Sequence, residues 1–183
     1  FGLLLNAISE NRLAPYHPRI ESVNDLTCYV RYLWNTVLSE SLYPSLHGLG
    51  VTLRNNIPNA ITQELGQENW FDHIWAEPER KVLEEIKDRL TRQRKSLDIG
   101  QIVASYSFGF WVSLLNRRYE NVLWAKLLKP ICPYMPNRER TRNTLSRRLN
   151  RIHKLRNRVF HHEPIWHRSH LIQNHEDLLE TIS

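Results

Sequence analysis

The sequence predicts an all-α fold, a helical bundle, on three observations. Near the start of the chain, apolar residues recur at i, i+4, i+7 and i+11, the spacing of one helix face: Leu26, Val30, Leu33 and Val37. A second set with helical spacing follows: Leu46, Leu49, Leu53 and Ile57. No segment alternates apolar and polar residues as a strand does, and no internal repeat is visible, so packed helices are the expected architecture.

Proline and capping residues set the boundaries of the first two predicted helices. Ser22 with Asp25 resembles a capping box ahead of the first helix. Tyr43-Pro44 is expected to break that helix and to start the next, because proline suits a first helical turn. Pro58 should kink or end the second helix, since proline removes a backbone donor and clashes one turn back.

The middle of the chain is predicted to alternate helices with loops. Residues 69–76 are expected to form a loop or a short aromatic turn, and Glu77-Pro78 then opens a charged helix. Residues 91–98 form a polar connection that ends at a helix cap. A helix follows from Ile99 to about Tyr119, in which SFGFW at 107–111 belongs to the core and its glycine marks a close-packing site.

The last third of the chain is predicted to contain one long basic helix. Three prolines predict a loop over LKPICPYMP, residues 128–136, before it. The helix is expected from about Arg138 to His161, because Pro164 disfavours helical geometry at the residue before it. A short final helix is expected around residues 176–182. The buried stripe of the long helix is Leu145, Leu149, Ile152 and Val159, widened by Leu155.

Length and composition predict one globular domain over residues 1–183. Hydrophobic residues make up 41% and charged residues 24%, which is close to the average of folded proteins. Cys28 and Cys132 form no disulfide framework, so a reducing compartment and a cytoplasmic location are expected. No apolar run reaches the about 20 residues of a membrane helix, and no membrane association is expected. FGLLLNAI at the start makes a poor signal peptide, and a trimmed piece of a slightly longer chain is expected.

Positive charge is concentrated in one segment, residues 138–158. It holds nine Lys or Arg residues against one acid, Glu139, and therefore carries +8, whereas the whole chain carries +6. A basic excess confined to one segment favours a polyanion partner such as nucleic acid. The alternative is a solvated helix face that pairs with acids from elsewhere in the fold.

Several common sites are excluded by spacing. GLG at 48–50 lacks the strand and the third glycine of a dinucleotide loop, and no phosphate-loop lysine motif is present. HEPIWH at 162–167 has one residue too many for a zinc-protease motif, and its proline breaks the helix that would align two ligands. Six of the nine histidines lie in the last third, but they follow no ligand spacing, so neither a metal nor another cofactor is predicted.

The cluster RNRVFH, residues 156–161, carries the chemistry that RNA cleavage needs. RNA supplies its own nucleophile, the 2′-hydroxyl. His161 can exchange a proton near neutral pH, and Arg156 can stabilise charge that develops on phosphate. Asn157 shares a helix face with His161 and can orient it or the phosphate, whereas Arg156 lies about 140° away around the helix. A second surface must therefore complete the site. The alternative is that these residues only interact with the terminal carbonyls of the helix.

The string LRNRVFHHEPIW, residues 155–166, resembles the version of the R-x4-H signature found in Abi-like (abortive infection) proteins of the HEPN superfamily. Three further segments are similar to Abi-like sequences in the same order. They are ISENRLAPY (8–16), SLYPSLHGLGVTLRNNI (41–57) and SFGFWVSLLNRRYE (107–120).

The resemblance implies a HEPN-like helical fold and a homodimer in which two R-x4-H helices build one cleft. It also implies a metal-independent endoribonuclease that leaves a 2′,3′-cyclic phosphate and a 5′-hydroxyl. Such proteins act as toxins in toxin–antitoxin or phage-defence systems, with a protein or RNA antitoxin. Carried over to this chain, Arg156 and His161 are the catalytic pair and Asn157 supports them. The expected RNA contacts are Arg158, His162, Lys154, Arg151, Arg148 and Arg147.

Two further expectations complete the sequence-based account. Phe160 and Trp166 lie near the site and can stack on bases, but burial preference favours core or dimer interface for both. A non-catalytic HEPN dimer that binds RNA or a partner protein remains the main alternative to the nuclease, since some HEPN domains lack activity.

Overall fold

A computed structural model describes residues 8–17, 25–66 and 70–182. Within these ranges the chain forms helices and turns and contains no strand, so the all-α prediction is confirmed. The α-helices are α1 Glu10–Leu13, α2 Asp25–Leu65, α3 Glu77–Arg92, α4 Ile99–Ser105, α5 Phe108–Ser113, α6 Ala125–Ile131, α7 Arg142–Phe160 and α8 Leu171–Ile182. None of the described helices is long and apolar enough to cross a membrane.

Helix α2 runs unbroken through both of its prolines, which corrects the predicted break at Tyr43-Pro44. Pro44 and Pro58 both lie inside the helix. A continuous apolar face spans both prolines and packs into the core, which offsets the about 3 kcal/mol that an interior proline costs. The buried members of this face are Leu42, Leu46, Leu49, Leu53, Ile57, Ala60 and Ile61. The predicted capping box cannot be compared, because Ser22 lies outside the described residues.

Helices α4 and α5 replace the single helix that was predicted over 99–119. Tyr106 and Ser107 have extended backbone, and the Ser107 side chain caps α5 by accepting a hydrogen bond from the N–H of Phe110 at 3.2 Å. Serine favours a cap over a helix interior, so the chain turns here. Gly109 is a close-packing site as predicted, because a Cβ at this position would lie 3.1 Å from Cε1 of His153.

Most of the remaining boundaries agree with the predictions, but α7 begins at Arg142 and not at Arg138, and α8 begins at Leu171, five residues earlier than expected. Residues Trp70–Asp72 form a short 3-10 turn, Asp98 caps α4, and α7 ends at Phe160 ahead of Pro164. Pro130 lies within α6, so the predicted loop over 128–136 begins only after Ile131. The apolar stripe of α7 is buried in one core cluster together with α2, α5 and α6. This packing sets the C-terminal half of α7 against the middle of α2 and the start of α5.

Candidate functional site

The C-terminal end of α7 closes in a Schellman turn that carries two exposed histidines, His161 and His162. The N–H of His162 donates to the carbonyl of Val159 at 3.2 Å, and the N–H of Glu163 donates to that of Arg158 at 2.8 Å. The residue after the cap in such a turn has left-handed backbone and is usually glycine. Here that residue is His162, with φ of 56°. Arg94 at the end of α3 has the same φ, so this backbone is a feature of the helix end and not of the histidine alone.

Arg156 lies half-buried against two phenylalanine rings. Its guanidinium carbon is 4.3 Å from the ring centroid of Phe160 and 5.3 Å from that of Phe108. Tyr43 stacks on Phe160 with centroids 5.0 Å apart. Burial lowers the pKa of Arg156, and no carboxylate of the described residues offsets this effect. A partly desolvated guanidinium without a counter-charge favours the binding of an anion beside it.

Asn157 contacts His153, a histidine that the motif analysis did not select. Its Nδ2 lies 3.2 Å from Nε2 of His153. Because an amide nitrogen only donates, this contact matches a His153 tautomer in which Nε2 is the acceptor. Burial, and to a lesser extent the charge of Arg156, lower the pKa of His153. Within one copy Asn157 therefore contacts His153 and not His161.

The predicted catalytic pair is not brought together within one copy of the chain. Arg156 turns towards α2 and α5, while His161 is exposed at the helix end. No hydrogen bond or ring contact joins the two side chains in the part of the chain that the structure describes. Their wide separation around α7 predicts this arrangement. A site that uses both residues must therefore take one of them from elsewhere, such as a second copy.

The HEPIW segment after α7 is anchored by a residue far away in the sequence. Oδ1 of the buried Asn35 accepts hydrogen bonds from the N–H groups of Ile165 at 2.7 Å and Trp166 at 3.2 Å. The Trp166 ring stacks on Tyr16, with centroids 6.4 Å apart, and Arg31 lies 5.2 Å from its centroid. The indole therefore has an aromatic and a cationic neighbour, and Trp166 packs within the fold. These contacts fix the backbone directly after the two exposed histidines.

A cavity of about 270 Å³ opens beside Arg156. We call it the arginine cavity. Helix α2, the start of α5 and the end of α7 each contribute to its wall, and no acidic side chain lines it. Three of the four segments that resemble Abi-like sequences (41–57, 107–120 and 155–166) meet around it. Its lining includes Leu46, His47, Arg54, Phe108, Trp111 and Arg156.

Much of the basic segment is neutralised by acids, some of them brought in by α8. Arg148 is buried, and its Nη2 lies 2.8 Å from carboxylate oxygens of both Glu139 and Glu180. Arg151 donates through Nε to the buried Asp177 at 3.0 Å. The ion pairs give Arg148 a structural role and correct its assignment to the RNA surface. Arg151 is exposed but paired, so it is a weaker RNA contact than expected.

Two of the predicted RNA contacts on α7 differ from this pattern. Arg147 and Lys154 are exposed, and neither forms an ion pair within the described residues. Arg158 pairs with Glu163 across 3.4 Å at the helix end. The cations of α7 without an ion pair in the described part of the chain are therefore Arg147, Lys154 and Arg156.

The first half of α2 carries an apolar stripe that faces away from the core. We call it the outer stripe; each member is between 43% and 56% exposed, and the members are Leu26, Val30, Leu33, Trp34 and Val37. The predicted periodicity is correct, but the residues lie opposite the buried face of α2. A groove of about 580 Å³ lies between α2 and the end of α7, about a quarter turn around α2 from the stripe. Its lining is Thr36, Ser39, Glu40, Tyr43, Pro44, Val159, Phe160 and His162.

No metal ligand set accompanies these features. Among the described residues, no group of three or more His, Cys, Asp or Glu side chains is arranged to hold a metal ion. Comparisons with protein-family models, with curated proteins and with solved structures give no match. The resemblance to Abi-like proteins and its functional consequences therefore stay predictions from the sequence.

Three residues around the site were not identified from the sequence. His153 lies one turn before Asn157, and the spacing of the two on α7 could have identified it. Asn35 and Arg54 come from α2, and no local signal relates them to residues more than one hundred positions later. Their roles depend on packing that joins α2 to α7.

Proposed function

We propose that this protein is a metal-independent endoribonuclease of the HEPN type, acting as the toxin of a toxin–antitoxin or phage-defence system. The observation that carries the proposal is the half-buried guanidinium of Arg156. It has no carboxylate partner and opens onto a cavity at the same helix end that exposes His161 and His162. A desolvated cation beside exposed imidazoles is suited to a phosphodiester, whose cleavage requires charge stabilisation and proton transfer.

The reaction uses the 2′-hydroxyl of the substrate as the nucleophile. It attacks the adjacent phosphorus, its proton passes to a base, and the bond to the 5′-oxygen breaks as that oxygen gains a proton. The products are a 2′,3′-cyclic phosphate and a 5′-hydroxyl. His161 carries a proton, and Arg156 stabilises the negative charge on the non-bridging oxygens. Asn157 supports the site through His153.

We propose that two copies complete the site by pairing along the outer stripe and the neighbouring groove. Fully burying a Val or Leu side chain contributes about 1.5–3 kcal/mol, so five half-exposed side chains contribute about 5 kcal/mol per copy. The two copies together contribute about 10 kcal/mol. Association costs about 4–15 kcal/mol in lost translational and rotational freedom, so burial of the stripe is large enough to offset a cost within this range. A twofold axis that passes near the groove brings the α7 ends of both copies close to one another, since Phe160 and His162 line the groove.

RNA outside the cleft contacts the unpaired cations of α7. Arg147 and Lys154 hold phosphates without sequence preference, and Arg158 and His162 contribute at the helix end. An unpaired loop is the expected target, because single-stranded bases can enter a cavity that a duplex cannot. A cognate antitoxin, protein or RNA, would cover this surface in the cytoplasm.

The alternative function is a HEPN dimer that binds RNA or a protein without cleaving it. Purified protein incubated with total RNA in excess chelator distinguishes the two. We expect fragments ending in 2′,3′-cyclic phosphate, and we expect the His161→Ala variant to produce none. His170→Ala is the matched control, because His170 is also exposed but lies outside the R-x4-H motif. Binding without cleavage by the wild type would support the alternative, and activity lost in chelator would indicate a metal.

A further inference from the structure

Two arginines from different helices face the arginine cavity. Arg54 comes from α2 and Arg156 from α7, and His47 of α2 also lines the cavity. Neither arginine has an ion pair within the described residues, and the cavity wall contains no Asp or Glu. Like charges that converge on a cavity with low-dielectric walls focus a positive potential into it. The preferred ligand therefore carries negative charge.

The other walls of the cavity are apolar or aromatic, and one of them offers a hydrogen-bond donor. Leu46, Val51 and Trp111 provide apolar surface. The Ser107 oxygen accepts the capping bond of α5, which leaves its O–H free to donate. A ligand with a flat ring and acceptor atoms matches these walls better than a free anion does.

The size of the cavity limits the ligand to about one nucleotide. Its volume is about 270 Å³, at the lower end of small-molecule sites. On the other side of Arg54 lies a second cavity of about 250 Å³, whose wall includes Asn55, Asn59 and Gly100. Arg54 thus separates two adjoining spaces. Two adjoining cavities of this size match two consecutive nucleotides of a single-stranded nucleic acid.

We propose that the arginine cavity binds one nucleotide, with its phosphate between Arg54 and Arg156 and its base against Val51 and Trp111. The nucleotide belongs to the single-stranded RNA next to the cleaved linkage, an assignment that rests on the proposed function. Arg54 is then a substrate-binding residue outside the R-x4-H motif. A free nucleotide has the same chemistry, and the experiment separates the two sources.

Calorimetric titration of the purified protein with 5′-AMP tests the cavity directly. Loss of one arginine–phosphate contact corresponds to roughly tenfold or more in affinity, so Arg54→Gln should weaken binding at least tenfold. Arg89→Gln removes the same charge from an exposed position on α3 and should change the affinity less than twofold. Adenosine and inorganic phosphate, each lacking half of the ligand, should bind at least tenfold more weakly than 5′-AMP.

A second pair of variants fills the cavity without removing charge. Gly50 lines the cavity, and a Cβ there would meet only Phe108, at 3.9 Å, so the side chain of Gly50→Leu extends into open space. Leucine also favours the helix over glycine, so the variant should stay folded. Gly48→Leu, on the same helix but outside the cavity wall, is the control. We expect Gly50→Leu to abolish 5′-AMP binding and Gly48→Leu to preserve it.

The outcomes separate this inference from the proposed function, because 5′-AMP contains no linkage to cleave. Binding that responds to Arg54→Gln and Gly50→Leu supports the cavity even if the wild type cuts no RNA. Absent binding, or binding that neither variant weakens, overturns the inference even if RNA is cut. A 2′-O-methyl trinucleotide, which lacks the nucleophile, should bind more tightly than 5′-AMP and depend on Arg54. Tighter binding of 5′-AMP would overturn the assignment to an RNA strand.

Discussion

Replacing His162 by glycine should stabilise the fold and reduce activity at the same time. His162 has φ of 56° at the position of a Schellman turn that favours glycine. Left-handed backbone costs an L-residue about 1–2 kcal/mol, and the extra freedom of glycine in the unfolded chain offsets part of the gain. The His162 side chain is exposed, and the hydrogen bond that its carbonyl accepts from Arg12 uses only the backbone. We expect a net gain of about 1 kcal/mol, or about 2–4 °C in Tm for a chain of this size.

Arg94 provides an internal control for this prediction. It also has φ of 56°, and its N–H and that of Lys95 donate to the carbonyls of Thr91 and Leu90, both at 3.0 Å, at the end of α3. Arg94→Gly should therefore bring the same gain in stability without affecting RNA. Urea unfolding followed by circular dichroism gives the midpoint for each variant, provided that the m-value is unchanged.

The comparison has two results that would refute the reasoning. If His162→Gly does not raise the unfolding midpoint whereas Arg94→Gly does, the His162 side chain stabilises the fold and is not strained for function. If both variants are stabilised and both cut RNA at the wild-type rate, His162 takes no part in RNA contact. We expect the His162→Gly protein to be more stable than the wild type and to bind RNA more weakly.

The other predictions concern the dimer, His153 and the ion pairs of α7. Val37→Asp should weaken dimerisation about a hundredfold, because each copy loses about 1 kcal/mol of apolar burial and places a charge in the interface. Analytical ultracentrifugation measures the change. Val122→Asp, at a similarly exposed valine, is the control. Wild-type stability should fall as pH drops below about 6.5, because the lowered pKa of His153 leaves the folded state with fewer protons than the unfolded state. His153→Gln should lose that part of the pH dependence, and an unchanged urea midpoint profile would contradict it. Arg148→Ala should destabilise the fold by about 2 kcal/mol, because the buried Asp177 loses one of its two arginine partners and Glu139 loses its link to α7. Arg147→Ala should stay within about 0.5 kcal/mol. Equal urea midpoints for the two variants would contradict the structural role of Arg148.

Periodicity predicted which residues share a face but not which side of the molecule that face meets. The stripes that begin at Leu26 and at Leu46 have similar spacing, yet only the second is buried. Helix α2 is apolar on two opposite sides in its first half, and a local pattern cannot tell a core face from an interface. The same limit applies to Pro44, whose local preference for breaking a helix yields to packing on both sides of it.

The site was predictable only where it is local. Arg156, His161 and His162 follow from one short motif. The partners that decide their environment come from α2 and α5, as the contacts of Arg156 with Phe108 and of Asn35 with Ile165 illustrate. The charge count of α7 was misleading for a similar reason. Acids of α8 fold against it and neutralise arginines that look free in the sequence.

Complementation between two inactive variants tests most directly whether two copies of the chain build one cleft. Protein carrying Arg156→Gln retains His161, and protein carrying His161→Ala retains Arg156. Each alone should cut no RNA, whereas subunits exchanged between the two should regain cleavage in chelator, with 2′,3′-cyclic phosphate ends. If mixed dimers form, as native mass spectrometry would show, and still cut nothing, then Arg156 and His161 of different copies do not serve one site and the account is contradicted.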